Sequence, residues 1–178
     1  MEKRRIVATP RLGFTVAIKN VLSNLTNVKG RARRSEYWWY VLATTIISMI
    51  CSQILGTMPL IITLVSIILT LSMVAVAARR VHDSGKSAVW VYIDYTFSII
   101  VLLYLYTSGF YDKQNVINPN PNDIIDIMSS PIFWGSALIS SVTGIVVFIF
   151  SLFDSDVAAN KYGESPKYVA EETQEEVQ

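Results

Sequence analysis

The sequence predicts an all-α integral membrane protein: four transmembrane helices with an N-terminal interfacial amphipathic helix before them. Three observations predict it. Of 178 residues, 52% are hydrophobic and only 16% charged, against about 25% charged in an ordinary soluble domain. Four apolar runs, at 37–55, 59–78, 88–106 and 131–152, each approach the roughly 20 residues that a helix needs to cross a hydrocarbon core of about 30 Å. None alternates with the period of a transmembrane strand. The cations are segregated as well: nine Lys or Arg precede Tyr37, three lie between the second and third runs and two follow the fourth, against one between the third and fourth.

Each element follows in order. Residues 1–36 form a basic segment that does not read as a signal peptide, because its apolar run begins too late and no small-residue cleavage site follows. Within it, Phe14, Ala17, Ile18, Val21, Leu22 and Leu25 fall on one arc at about 100° per residue, with Lys19, Asn20, Ser23 and Asn24 opposite. That pattern suits a helix lying in the membrane interface or packed against neighbouring loops. Residues 37–152 form the four-helix membrane domain. Gly56 can stop the first helix and Pro59 start the second, giving a tight hairpin. The link at 107–130 is the longest; Asn118-Pro119-Asn120-Pro121 marks a rigid turn, and Asp123 is placed to cap a short helix at 124–128. Residues 153–178 form an acidic tail ending in EETQEEVQ, poorly ordered by composition. The cation bias orients the chain with both termini cytoplasmic.

Aromatic residues gather at the ends of the runs: Tyr37, Trp38, Trp39 and Tyr40; Trp90 and Tyr92; Tyr104 and Tyr106; Trp134. They read as headgroup anchors, with an aromatic ligand wall as the alternative. Thr63, Ser66, Thr70 and Ser72, and Ser136, Ser140, Ser141, Thr143 with Gly135 and Gly144, read as packing faces of the bundle or of a homo-oligomer. Cys51, alone in an apolar run, forms no intrachain disulfide.

Three polar stretches share the expected cytoplasmic side: GRARRSEYW from Gly30, ARRVHDSGKSAVW from Ala78 and NKYGESP from Asn160. Arg79 and Arg80, leaving the second span, serve as anchors against helix carbonyls and lipid phosphates, or as guanidinium forks for an anionic ligand, with Arg31, Arg33 and Arg34 as the other wall. His82 and Asp83 point about 100° apart on a helix and so form no dyad by themselves; Asp83 is expected to accept hydrogen bonds from Ser84, Gly85 or an Arg. One His with no spaced carboxylate pair makes no metal site, and Gly85-Lys86-Ser87 lacks the upstream half of a phosphate loop. Asp94 is the one ionisable residue in a span, roughly 9 Å along its helix at about 1.5 Å per residue. A carboxylate there is a functional candidate, unless it reaches the interface and pairs with Arg79, Arg80 or Lys86.

In this order and spacing, GRARRSEYWW, ARRVHDSGKSAVW and NKYGESP resemble the signatures of the domain-of-unknown-function-805 family of small bacterial membrane proteins. The likeness runs from about Phe14 to Pro166. The family pattern usually continues G-x-S-G-W-W, where this chain has Gly85-Lys86-Ser87-Ala88-Val89-Trp90. The resemblance implies a protein of the bacterial plasma (inner) membrane and supplies no activity. The expected function is therefore non-enzymatic, with no cofactor. An Arg-rich cytoplasmic face, with Arg31, Arg34, Arg79, Arg80, His82 and Asp83 as the ligand-binding candidates, would engage the bilayer's anionic phospholipid or a membrane protein partner, not nucleic acid. The alternative is a small transporter or channel subunit using Asp94.

Overall fold

The computed structural model describes residues 6–114 and 120–170. In chain order these form β1 (Ile6–Ala8), α1 (Phe14–Leu22), α2 (Arg34–Leu55), α3 (Pro59–Asp83), α4 (Val89–Thr107), α5 (Phe110–Gln114), α6 (Pro121–Met128), α7 (Pro131–Leu152) and β2 (Tyr168–Ala170). Helices α2, α3, α4 and α7 are each long and apolar enough to cross a membrane. Their outward residues, such as Ile54, Ile68 and Leu138, remain exposed, as lipid-facing side chains must.

Two helix ends lie beyond the apolar runs. α2 begins at Arg34, inside the basic motif. α3 continues past residue 78 to Asp83, so Arg79, Arg80, His82 and Asp83 lie on helix rather than in a loop. Gly85 explains where α3 stops. Its φ of 70° lies in the left-handed region, where its N–H reaches the His82 carbonyl at 3.0 Å and the Lys86 N–H reaches that of Val81 at 3.2 Å. These are the paired bonds of a Schellman termination, which favours glycine at that place.

In the long link, the short helix starts at Pro121 rather than 124, and its cap is Asn120, whose side chain accepts from the Asn122 N–H at 3.1 Å. Asp123 instead occupies the first turn, three places past the cap. Asn118 and Pro119 of the expected turn lie outside the described residues.

The four long helices pack in sequence, α2 on α3, α3 on α4 and α4 most extensively on α7. The buried core lies toward one end of this bundle, where Tyr37 and Tyr40 of α2 meet Val76, Ala77 and Val81 of α3, with Val91 of α4 and Val147 of α7. The run Ala75 to Ala78 is fully or nearly buried, and its small side chains let neighbouring backbones approach closely. α1 closes the same end by packing Ala17 and Val21 inward.

That end also holds both described termini, because β1 pairs antiparallel with β2, with Val7 opposite Val169. Thr9 extends the zipper, its N–H and hydroxyl both donating to the Lys167 carbonyl. Residues 153–170 are thus ordered against the bundle; the acidic EETQEEVQ that follows lies outside the described residues.

A Cβ at position 85 would lie 2.9 Å from Asp156 Oδ2 as well as forcing a left-handed L residue. Gly85→Ala should therefore cost about 1–2 kcal/mol, read as a lowered unfolding midpoint in detergent, while Gly13→Ala, with open space around it, should not.

Candidate functional site

The polar end is organised around one carboxylate. Asp83, fully buried, stands on the last turn of α3. Its Oδ1 accepts from Arg31 Nε at 2.9 Å, and its Oδ2 accepts from Arg80 Nη1 and from Ser155 Oγ, each at 2.5 Å. Arg80 lies three residues earlier on the same helix, a spacing that brings side chains together on one face. Arg31 comes from the loop before α2, and Ser155 from the segment after α7.

Both guanidiniums also serve the main chain. Arg31 Nη1 donates to the carbonyls of Ala158 and Gly163, and its Nη2 to those of Asp83 and Asp156. Arg80 Nε donates to the Ser151 carbonyl, and its Nη2 to that of Phe153. The last carbonyls of a helix lack partners within it and carry the negative end of the helix dipole. Arg31 therefore caps α3, and Arg80 caps α7. Two buried cations against one buried carboxylate are accommodated because the surplus positive charge faces these carbonyls.

The third motif closes the arrangement. Asn160 Nδ2 donates to the His82 carbonyl and to Asp156 Oδ2, both at 3.0 Å. Asn160 and Gly163 form a tight reciprocal bridge, with Gly163 at φ 127°. The turn presents Tyr162, whose ring stacks on His82 at 3.7 Å and 11°, while Lys161 Nζ lies 4.9 Å from the Tyr162 ring centre.

The expected ligand residues therefore divide. Arg31, Arg80 and Asp83 converge, both guanidiniums donating to the one carboxylate, with little surface left. His82 is buried under Tyr162, its Nδ1 without a hydrogen-bond partner among the described residues. Arg79, also buried, donates weakly to the Ala75 carbonyl of its own helix at 3.4 Å and faces Glu36; Glu36 in turn accepts from Asn20 of α1 at 3.0 Å. Arg34 stands apart on the surface, paired with Asp154 at 2.8 Å. Arg33 fastens the terminal strands, donating to the carbonyls of Pro10 and Pro166 and to Thr9 Oγ1.

Asp154 is gripped from two sides, by Lys167 and by Arg34, each at 2.8 Å. The Lys167 hydrogen bond leads in holding the Asp154 carboxyl well below the usual carboxylate range, and Asp154 raises Lys167 in return. A depressed acid contributes stability above its unfolded pKa, about 4, and loses it as pH falls through the folded value. A raised lysine contributes fully below about 10.4 and loses that as pH rises through its folded value. The clamp on the tail is therefore closed throughout the neutral range. Its half-exposed members make it a modest contributor.

Asp94 is distant from these cations in bonding terms. It reaches neither Arg79 nor Arg80 nor Lys86; its Oδ1 accepts from Ser140 Oγ at 2.9 Å, and Ser140 shares a 2.8 Å hydrogen bond with Ser98. Gly144 of α7 faces the same carboxylate, and a Cβ there would lie 3.4 Å from Oδ1. Among the described residues no group of three His, Cys, Asp or Glu could hold a metal ion.

Sequence reasoning missed Ser155, Asp156 and Asp154, although the run Asp154-Ser155-Asp156 directly after an apolar span was a visible signal. Acids next to a span on the basic side need cations, and the three motifs supply them.

Four membrane-length helices closed at one end by a buried Arg–Asp–Arg lock define an integral membrane protein with a folded polar cap. The family model described as protein of unknown function (DUF805) matches residues 25–164, and the chain belongs to that family. It is similar to the inner membrane protein YhaI of Escherichia coli K12, 32% identical over 97 residues that cover 51% of this chain and 82% of the relative. It is also similar to the inner membrane protein YhaH of the same strain, 35% identical over 78 residues, 39% of this chain and 64% of the relative. No solved structure matches. With such relatives and such helices, this is an inner-membrane protein.

Asp83→Asn keeps the shape but leaves two buried guanidiniums without a countercharge, a change that typically costs about 3–5 kcal/mol. The variant should lose its folded peak in detergent gel filtration. Ser155→Ala, which removes a neutral donor, should remain folded with a smaller drop in unfolding midpoint.

Proposed function

We propose that this is a non-enzymatic, multi-pass protein with both termini in the cytoplasm, whose basic cap engages the anionic lipid of the inner leaflet. The observation that carries this reading is the outward face of α1. Phe14 and Leu22 are each about half exposed, as the inward positions of the helix are taken by Ala17 and Val21. An apolar helix face beside a membrane-spanning bundle is covered when it lies in the headgroup region, and the cap's unburied cations then meet lipid phosphate. The bias of 14 Lys or Arg in the N-terminal segment, the second link and the tail to one in the third link supports the orientation.

A spin label at Leu22 in nanodiscs should be relaxed by lipid-soluble oxygen, and one at Lys19 by a water-soluble nickel complex. Equal access of nickel to both would overturn the interfacial placement. A cysteine replacing Lys29, in a Cys51→Ala background, should react with an impermeant maleimide only after cells are permeabilised; labelling of intact cells would reverse the orientation.

A second reading, a small transporter or channel subunit, is favoured by one observation, the Asp94, Ser140 and Ser98 ladder between two spans. A carboxylate within a span, with hydroxyl partners, is a common element of ion pathways. Under this reading proteoliposomes show an ion flux that Asp94→Asn abolishes with folding retained, and absence of flux from the wild type removes it.

A further inference from the structure

A recess of about 510 Å³ opens at the cap between the N-terminal arm, the start of α2 and the segment after α7. Arg11, Arg33, Arg34 and Lys167 line it. Three of these are held in place, Arg33 by the terminal strands and Arg34 and Lys167 through their shared Asp154. Arg11 is exposed and has no hydrogen bond or ion pair among the described residues. Four cations thus meet one nearby carboxylate, an arrangement that attracts an anion.

Two further features say which anion. The start of α2 forms part of the wall, and its Arg33 cap position supplies no side-chain bond to the first-turn N–H groups. The first-turn acid, Glu36, is buried and bonded to Asn20 of α1. The positive end of a 22-residue helix is therefore available to a phosphate oxygen. Beside Thr9, Ser35 and Ser155, the lining includes large apolar side chains: Trp38 and Trp39 from the first turns of α2, and Leu152 at the end of α7. Trp38 packs edge-on against Phe148 of α7, and Trp39 against Phe14 of α1. This wall continues onto the lipid-facing surfaces of two spans.

We propose that the recess is a binding site for the phosphate headgroup of an anionic phospholipid, held by Arg11, Arg34 and Lys167, with the acyl chains leaving along Trp38, Trp39 and Leu152. A free phosphate would use the cations but not the apolar wall, and that wall decides for the lipid. The proposal rests on the lipid reading above and names its site.

The test is native mass spectrometry of the full chain released from nanodiscs of equal phosphatidylglycerol and phosphatidylcholine. The wild type should retain phosphatidylglycerol preferentially. Arg11→Ala should lower that preference about fivefold, the effect of one interfacial cation, Arg11→Lys should largely restore it, and Lys113→Ala, an exposed cation of α5 outside the cap, should leave it unchanged. Because Arg11 is exposed and unbonded among the described residues, its loss does not threaten the fold. Preference intact in Arg11→Ala would overturn the recess while leaving the lipid reading standing. No preference in the wild type would overturn both. If inorganic phosphate added in detergent is retained and no lipid is, the recess is a free-anion site and the headgroup assignment falls.

Discussion

The cap depends on the burial of one carboxylate, Asp83, between the guanidiniums of Arg31 and Arg80. Neither ion could enter this environment alone, since an unpaired buried charge costs several kcal/mol. Together they leave one positive charge in excess, and the geometry disposes of it. Arg80 spans from its own helix to the last carbonyls of α7, and Arg31 from the pre-α2 loop to the end of α3 and the following tail. Two helix termini, each with orphan acceptors, are brought side by side by cations that need acceptors. A pair buried in this way is a weak source of net stability but a strong determinant of arrangement: moving any of the three segments would strand either a charge or a set of carbonyls.

This lock is built from three motifs that apolar spans separate in the sequence. Gly85 ends α3 so that the chain can turn immediately after Asp83, and Gly163 lets the tail fold back so that its carbonyl meets Arg31. The tail in turn covers His82 with Tyr162. Chemical groups that suggest catalysis in a linear reading, His82 beside Asp83, face different partners: an aromatic ring for one and two arginines for the other.

Much of the fold was legible because the bilayer restricts the choices. An apolar run of spanning length has to be a helix when no water satisfies its backbone, so the four spans and their short hairpin followed from length and composition. The cap was less legible, because its partners are main-chain carbonyls, which are invisible in a list of side chains. The motifs GRARR, RRVHDSG and NKYGESP could be seen to share a side; that Arg31 would cap one helix and Arg80 another required the backbone in place. The arc of α1 likewise split, Ala17 and Val21 turning inward and Phe14 and Leu22 outward, since residues at both edges of a broad apolar face cannot all reach one neighbouring helix. For the tail, composition describes the acidic end but not residues 153–170, whose order comes from a two-strand zipper with the N-terminal arm.

The arginines consequently fall into two populations with different physics. Arg31 and Arg80 have most of their donors satisfied inside the protein, where the low dielectric makes each bond expensive to break; they are structural, and an external anion would have to displace several bonds at once to reach them. Arg11 and Arg34 stand at the surface, where one is unbonded among the described residues and the other shares a half-exposed carboxylate with Lys167. Charges of this second kind are screened and weakly held, so they can exchange a partner for a lipid phosphate at little cost. The buried set supplies the rigidity that holds the exposed set at fixed positions around a recess. A cap built only from the first kind would be inert toward anions, and one built only from the second would have no fixed geometry with which to select among them.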